Sequence, residues 1–124
     1  MMFSPALTQL VVNDIDTSID YYESVLGFET TLRHETSFAS LSRDKTEIHL
    51  VAGEEKHPVS HMELEGERIS AYIWVSDFDA LYKEYEAAGA DFVYPPTEHV
   101  WGAVDFCVKD RDGYRICFAR AALS

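Results

Sequence analysis

Apolar residues along this chain fall into two alternating kinds of spacing. From Leu7 to Val12 ("LTQLVV") and from Ser70 to Val75 ("SAYIWV") they form short dense runs of the kind that make strands. Directly after each run the spacing opens to that of an amphipathic helix. Ile15, Ile19, Tyr22, Val25 and Leu26 make the first stripe, and Phe78, Leu81, Tyr82, Tyr85 and Ala88 make the second. An aspartate, Asp14 or Asp77, stands where it can accept the orphan N–H groups of a helix start, and a glycine, Gly27 or Gly89, stands where the helix would stop. Three strand-like runs then follow each helix: "FETTLRH", "SFASLS" and "TEIHLVA" in the first half, "ADFVYP", "GAVDFCVK" and "YRICFAR" in the second. Turns are marked by Arg43-Asp44-Lys45 and by Asp110 to Gly113.

The two halves are copies of one plan. Asp14 and Asp77, Asp16 and Asp79, Tyr22 and Tyr85, and Glu23 and Glu86 each stand 63 residues apart. Each half reads β-α-β-β-β, so the fold class is α+β: one domain over residues 1–124 with a first module at 5–52, a linker at 53–68 and a second module at 69–121. The linker, "GEEKHPVSHMELEGER", is polar, holds Pro58 and Gly66, and has no period; it reads as a hinge loop. His57 and His61 flank Pro58 there, so the helical four-residue spacing of a metal pair fails and they read as solvent-facing.

Alternation assigns faces. Ile48 and Leu50 point to a helix, leaving Glu47, His49 and Val51 on the other side; Ile116 and Phe118 do the same to Arg115 and Cys117, and Val104, Phe106 and Val108 to Asp105 and Cys107. Tyr72 and Trp74 share the face of Ser70, Gln9 shares that of Leu7, Phe38 opens the third strand, and Trp101 stands at the mouth of a later one, with His99 beside it. Any one of these aromatics is as readily core or interface, but both tryptophans of the chain fall on the same predicted face. That makes an aromatic-walled pocket with a few polar groups, the makeup of a small-molecule site.

Charge narrows the partners. The net charge is −12, and each half, 1–62 and 63–124, carries −6, so the surplus is spread rather than held in a tail. Such a field repels nucleic acid and anionic membranes and favours cationic ligands. No apolar run reaches the ~18 residues of a membrane span, and no secretory signal opens the chain, so a cytoplasmic location is expected. Two cysteines in that compartment read as free thiols. Cys107 and Cys117 do sit on neighbouring strands facing one side, which leaves a disulfide as the alternative. A nucleophilic cysteine needs a neighbouring cation or helix N-terminus, which a mid-strand position lacks unless Arg115 or His49 approaches.

The tandem βαβββ modules, the strand-Asp-helix openings and "KDRDGYRICF" resemble the vicinal oxygen chelate superfamily of glyoxalases, extradiol dioxygenases and bleomycin resistance proteins. That resemblance covers nearly the whole chain. It implies a cupped, mostly antiparallel sheet with helices on its outer face, and in metal-dependent members a divalent ion held by four side chains. Carried over, those positions fall on Leu7, His49, Ser70 and Cys117; leucine cannot ligate and serine is a poor ligand. The pattern is most similar to bleomycin resistance proteins, through "AYIWV", Trp101-Gly102 with Phe106, and the Asp110–Gly113 turn. It departs from them in Tyr72, where a second tryptophan is usual, and in Arg111, where proline is common.

What the resemblance implies is a metal-independent binding or sequestration protein for a hydrophobic small molecule, cationic or neutral, with no cofactor. Gln9, Phe38, His49, Tyr72, Trp74, Trp101, Asp105, Cys107 and Cys117 are the ligand-binding candidates, and no residue is assigned a catalytic role. The alternative is a glyoxalase- or dioxygenase-type enzyme whose divalent metal sits in a degenerate site at His49 and Cys117; a vestigial cup serving assembly is a third. The family also implies a homodimer, with Pro5 placed to direct an exchanged N-terminal strand.

Overall fold

The computed structural model describes residues 2–53 and 69–122. The predicted linker, with His57, Pro58 and His61, lies outside the described residues apart from Gly53. The first module runs β1 (Thr8–Val12), α1 (Ile15–Ser24), β2 (Glu29–His34), β3 (Phe38–Arg43) and β4 (Thr46–Ala52). The second repeats it as β5 (Ala71–Trp74), α2 (Phe78–Ala88), β6 (Asp91–Glu98), β7 (Ala103–Lys109) and β8 (Arg115–Ala121). Each module forms its own four-stranded mixed sheet, ordered β1-β4-β3-β2 and β5-β8-β7-β6. The opening strand lies parallel to the closing one, because a helical crossover returns the chain to the same end of the sheet, while the hairpins between are antiparallel.

Helix α1 is capped as predicted, Asp14 accepting from the Thr17 N–H at 3.2 Å. Asp77 makes no such side-chain bond at the start of α2. The stops also differ: Gly89 is the left-handed C-cap of α2, whereas α1 ends at Ser24 with Val25 as its cap, and Gly27 turns the chain two residues later. Both predicted stripes face inward except Ala88, which is exposed; Tyr21, outside the stripe, is buried because its hydroxyl reaches the Lys109 carbonyl at 2.8 Å.

The core lies between each helix and its sheet. Ile15, Ile19 and Tyr22 cover Leu41, Ile48 and Leu50, and Phe78, Leu81 and Tyr85 cover Val108, Ile116 and an edge-to-face cluster around Phe106. Alternation therefore holds along β4, β7 and β8, and the opposite faces are left for the site.

Each module also grips the other through one tyrosine of its helix. Tyr22 donates to the buried Asp110 carboxylate at 2.7 Å, and Tyr85, its repeat partner, donates to the Leu26 carbonyl at 2.7 Å. Burial pushes the Asp110 carboxyl up, and bonds from Tyr22 and the backbone N–H groups of Tyr114 and Asp112 pull it partly back. On the other side Arg43 forks onto Glu84 at 2.7 and 2.9 Å and onto the Leu26 carbonyl at 2.9 Å. That bond holds the Glu84 carboxyl below its usual range.

Candidate functional site

The sheet faces turned away from the helices carry two polar clusters, one per module. In the second module the centre is Asp105 on β7, whose side is fully buried at 0% exposure. Its Oδ1 accepts from Tyr94 at 2.7 Å and faces His99 Nε2 at 2.8 Å; its Oδ2 accepts from Tyr72 at 2.8 Å. Burial chiefly, and then the Asp105 contact, raise the Tyr72 hydroxyl above its ordinary range. Over this layer lie the aromatics: Trp101 stacks flat on His99 at 4.2 Å and 6°, and Trp74 meets Tyr72 edge-on at 5.8 Å. Both tryptophans are open to solvent, Trp74 at 61% and Trp101 at 67%.

Local sequence explains each placement. Tyr72 is brought beside β8 by the parallel register that pairs it with Cys117. His99 and Trp101 sit in the β6–β7 turn, closed by bonds from the His99 N–H to the Ala103 carbonyl (2.8 Å) and from the Gly102 N–H to the His99 carbonyl (3.1 Å). Gly102 adopts φ 91° there, which a side chain would strain. Tyr94 is the residue that sequence reasoning missed. By alternation it shares the face of Phe92, which packs on Tyr82 and Phe106 toward the helix. A break in the β6–β7 register between Phe92 and Tyr94 turns Tyr94 to the other side, and the Pro95-Pro96 pair confines β6 to the sheet edge. That proline pair in a strand-like run was the available signal.

The cysteines correct the sequence reading. They are not free thiols: Cys107 and Cys117 stand directly opposite each other across β7 and β8, their Cα atoms 4.1 Å apart, and are joined in a disulfide. The compartment argument gave no weight to this register. Cys107, Cys117 and Asp105 are all buried, so they support the aromatic wall from behind, while Tyr72, Trp74 and Trp101 form its surface.

In the first module, His49 Nε2 lies 2.5 Å from Glu47 Oε2, and Phe38 meets the His49 ring edge-on at 5.0 Å. Ser40 donates to the same carboxylate at 3.4 Å. Gln9 pairs with His49 in register and is exposed. Thus Gln9, Phe38 and His49 gather on one sheet, and Tyr72, Trp74, Trp101, Asp105 and the cysteines on the other. At the seam a hollow of about 240 Å³ is lined from both sides by Leu7, Glu47, Tyr72 and Trp74. A larger hollow of about 600 Å³ lies beyond β5 and shares Trp74 with the predicted set.

The family's metal positions do not suit a metal. Leu7 offers hydrocarbon, Ser70, just before β5, offers only a hydroxyl, a poor ligand for first-row divalent metals, and the Cys117 sulfur is bonded to Cys107. His49 alone remains, paired with Glu47. Among the described residues no cluster of three or more His, Cys, Asp or Glu side chains is placed to hold an ion. Among them, too, no helix is long and apolar enough to cross a membrane.

Several solved structures share this architecture. TioX from Micromonospora sp. ML1 is 29% identical, with 98% of each chain covered and a TM-score of 0.72. The bleomycin-binding protein of Streptomyces verticillus, solved with copper(II)-bleomycin, is 22% identical, with 100% of this chain and 99% of that one covered and a TM-score of 0.74. A bleomycin resistance determinant encoded on the transposon Tn5 is 18% identical, with 98% and 100% covered and a TM-score of 0.80. At those last two identities the likeness is one of fold. A search of the curated proteins finds no match. Residues 5–118 match the sequence profile of one family, a span that runs from before β1 into β8, and the chain belongs to the Glyoxalase/Bleomycin resistance protein/Dioxygenase superfamily.

Proposed function

We propose that this protein captures a hydrophobic, planar, cationic small molecule in its aromatic cup without a metal, and that it acts by sequestration. One observation carries the reading: a fully buried carboxylate, Asp105, organises Tyr72, Tyr94 and His99 beneath two solvent-open tryptophans. Exposed indole faces attract flat cations at ~0.5–2 kcal/mol each, and a negative charge set behind them adds to that attraction. The net charge of −12 acts in the same direction. The bleomycin-binding relative of the same fold, solved with a bleomycin complex, supports the ligand class. Calorimetric titration with bleomycin and a panel of planar cations tests it. Saturable binding by at least one, weakened by Trp101→Ala, is expected, and no heat from any member sinks the proposal.

A second copy of the chain would cover the open tryptophans, so we take the working unit to be a homodimer with two sites, completed across the interface or by exchange of the arm that contains Pro5. Light scattering on the eluting protein checks this, and a monomeric mass contradicts it. The glyoxalase- or dioxygenase-type alternative draws on a single feature, the Glu47–His49 pair at 2.5 Å, two metal-ligand side chains on one face. Elemental analysis of purified protein separates the readings: a stoichiometric divalent metal favours the enzyme, and its absence after metal loading favours the binder.

A further inference from the structure

Trp101 is held by one buried carboxylate through two routes. Asp105 faces His99 Nε2 at 2.8 Å, and the imidazole lies flat against the indole at 4.2 Å and 6°. Asp105 also accepts from the Tyr72 hydroxyl at 2.8 Å, and that hydroxyl takes a bond from the Trp101 side chain. The four side chains close a ring, so the indole is fixed at one face and at its edge. His99 covers that face, and the side chain is otherwise open, at 67% exposure. A planar cation that stacks on Trp101 therefore has an imidazole on the opposite side of the same indole.

Of the residue types in this ring, histidine is the one whose charge ordinarily changes between about pH 5 and 8. A carboxylate that already takes two tyrosine hydrogens can only accept, so Nε2 carries the hydrogen shared with Asp105 and an added proton goes to Nδ1. The titratable groups about His99 are Asp105 of β7, Tyr94 of β6, whose ring meets it edge-on at 6.2 Å, Tyr72 of β5 through Asp105, and the exposed Glu98 beside it in the chain. Among the described residues His99 contacts no cation. Protonation has two consequences of one sign: it sets a positive charge on the indole that the ligand uses, and it cancels the carboxylate charge behind the wall. A ligand cation and the imidazolium, separated by the 4.2 Å stack and a second of similar depth, stand about 8 Å apart, and their repulsion weakens binding about two-fold at the dielectric of water and about thirty-fold at that of a protein surface.

We propose that His99 couples ligand capture to pH. With His99 neutral the cup binds a planar cation; a proton on His99 Nδ1 drives the cation off, and binding of the cation returns that proton to solvent. This inference rests on the reading of the cup as a cation site. It makes His99 a positioning residue for Trp101 and the proton-exchanging group of the cup.

NMR titration of the ligand-free chain tests the coupling itself. The Trp101 indole N–H signal should move with the same midpoint as the His99 ring protons, and that of Trp74, which contacts no histidine among the described residues, should not. Calorimetry with N-methylacridinium, a permanent planar cation, and N-methylacridone, its neutral counterpart, tests the consequence. From about pH 7.5 to about pH 5.5 the cation should lose affinity about three-fold or more, while the neutral ring keeps its affinity within about two-fold. His99→Phe keeps a flat ring against Trp101 and His99→Gln keeps a donor for Asp105; neither takes up a proton, so each should bind the cation equally at both pH values. A Trp101 signal that ignores His99, an equal loss for the neutral ring, no loss in the parent, or a loss that persists in both variants, as it would if His49 were the titrating group, would each overturn the proposal. Saturable binding of unchanged affinity overturns the coupling and leaves the cation site standing, whereas no binding by any planar cation removes both. Circular dichroism of both variants confirms that the comparison is between folded proteins.

Discussion

Asp105→Ala removes the acceptor of three short bonds at once, from Tyr72, Tyr94 and His99 at 2.7–2.8 Å. Hydrogen bonds to a charged group contribute ~1.5–3 kcal/mol each, so three at the lower end bound the loss near ~4.5 kcal/mol. Two effects reduce it: the buried charge no longer has to be desolvated, and water reaches the half-exposed Tyr72 and His99. The expected loss is ~2–4 kcal/mol, a fall in Tm of roughly 10 °C for a domain of this size. Asp105→Asn keeps one acceptor and should lose about half as much. The same change frees His99, on which Trp101 stacks, so ligand affinity should fall with stability. Thermal and urea unfolding measure the first effect and titration the second. A loss under ~1 kcal/mol for Asp105→Ala would refute the view that this carboxylate organises the wall.

Three further outcomes are expected. Tyr22→Phe leaves the buried Asp110 carboxylate short of a donor at a cost of ~1–3 kcal/mol near neutral pH. Burial raises this carboxyl in the native state, so the stability tied to its proton is complete below the unfolded carboxylate value and is lost as pH rises through the native one. The variant lifts the native value further, so its deficit should shrink toward acid; urea unfolding across pH reads this, and a deficit that grows toward acid contradicts it. Gly27→Ala places a methyl against the Arg43 guanidinium at a residue with φ 75°, and should cost ~1–3 kcal/mol by chemical unfolding. Intact mass under non-reducing, denaturing conditions should show a chain two hydrogens lighter than the reduced form, with no alkylatable thiol; a fully alkylated chain denies the Cys107–Cys117 bond.

Much of the fold was legible because the two periods, strand and helix, repeat with one offset and agree with their turns. The faces of β4, β7 and β8 followed from alternation alone. What escaped was set by register. Tyr94 left its expected face through an irregularity that alternation does not contain. The Cys107–Cys117 contact depends on strands paired residue to residue, which overrode a rule about compartments. Asp77 resembles Asp14 in sequence, yet only Asp14 caps its helix, a difference the repeat by itself could not reveal. The site was half legible. Trp74, Trp101 and Tyr72 gather over one sheet as their positions in the chain predicted, but the place of Asp105 beneath them needed the geometry of three donors converging on one carboxylate.

The central claim is that the aromatic cup binds a planar cation without a metal. Both tryptophans of the chain lie at that cup, so their fluorescence reports on it directly. Titration of metal-stripped protein with bleomycin and other planar cations should give saturable quenching that survives a chelator and weakens about ten-fold or more in Trp101→Ala. No quenching across the panel, or quenching that appears only when a divalent metal is restored, would contradict the account.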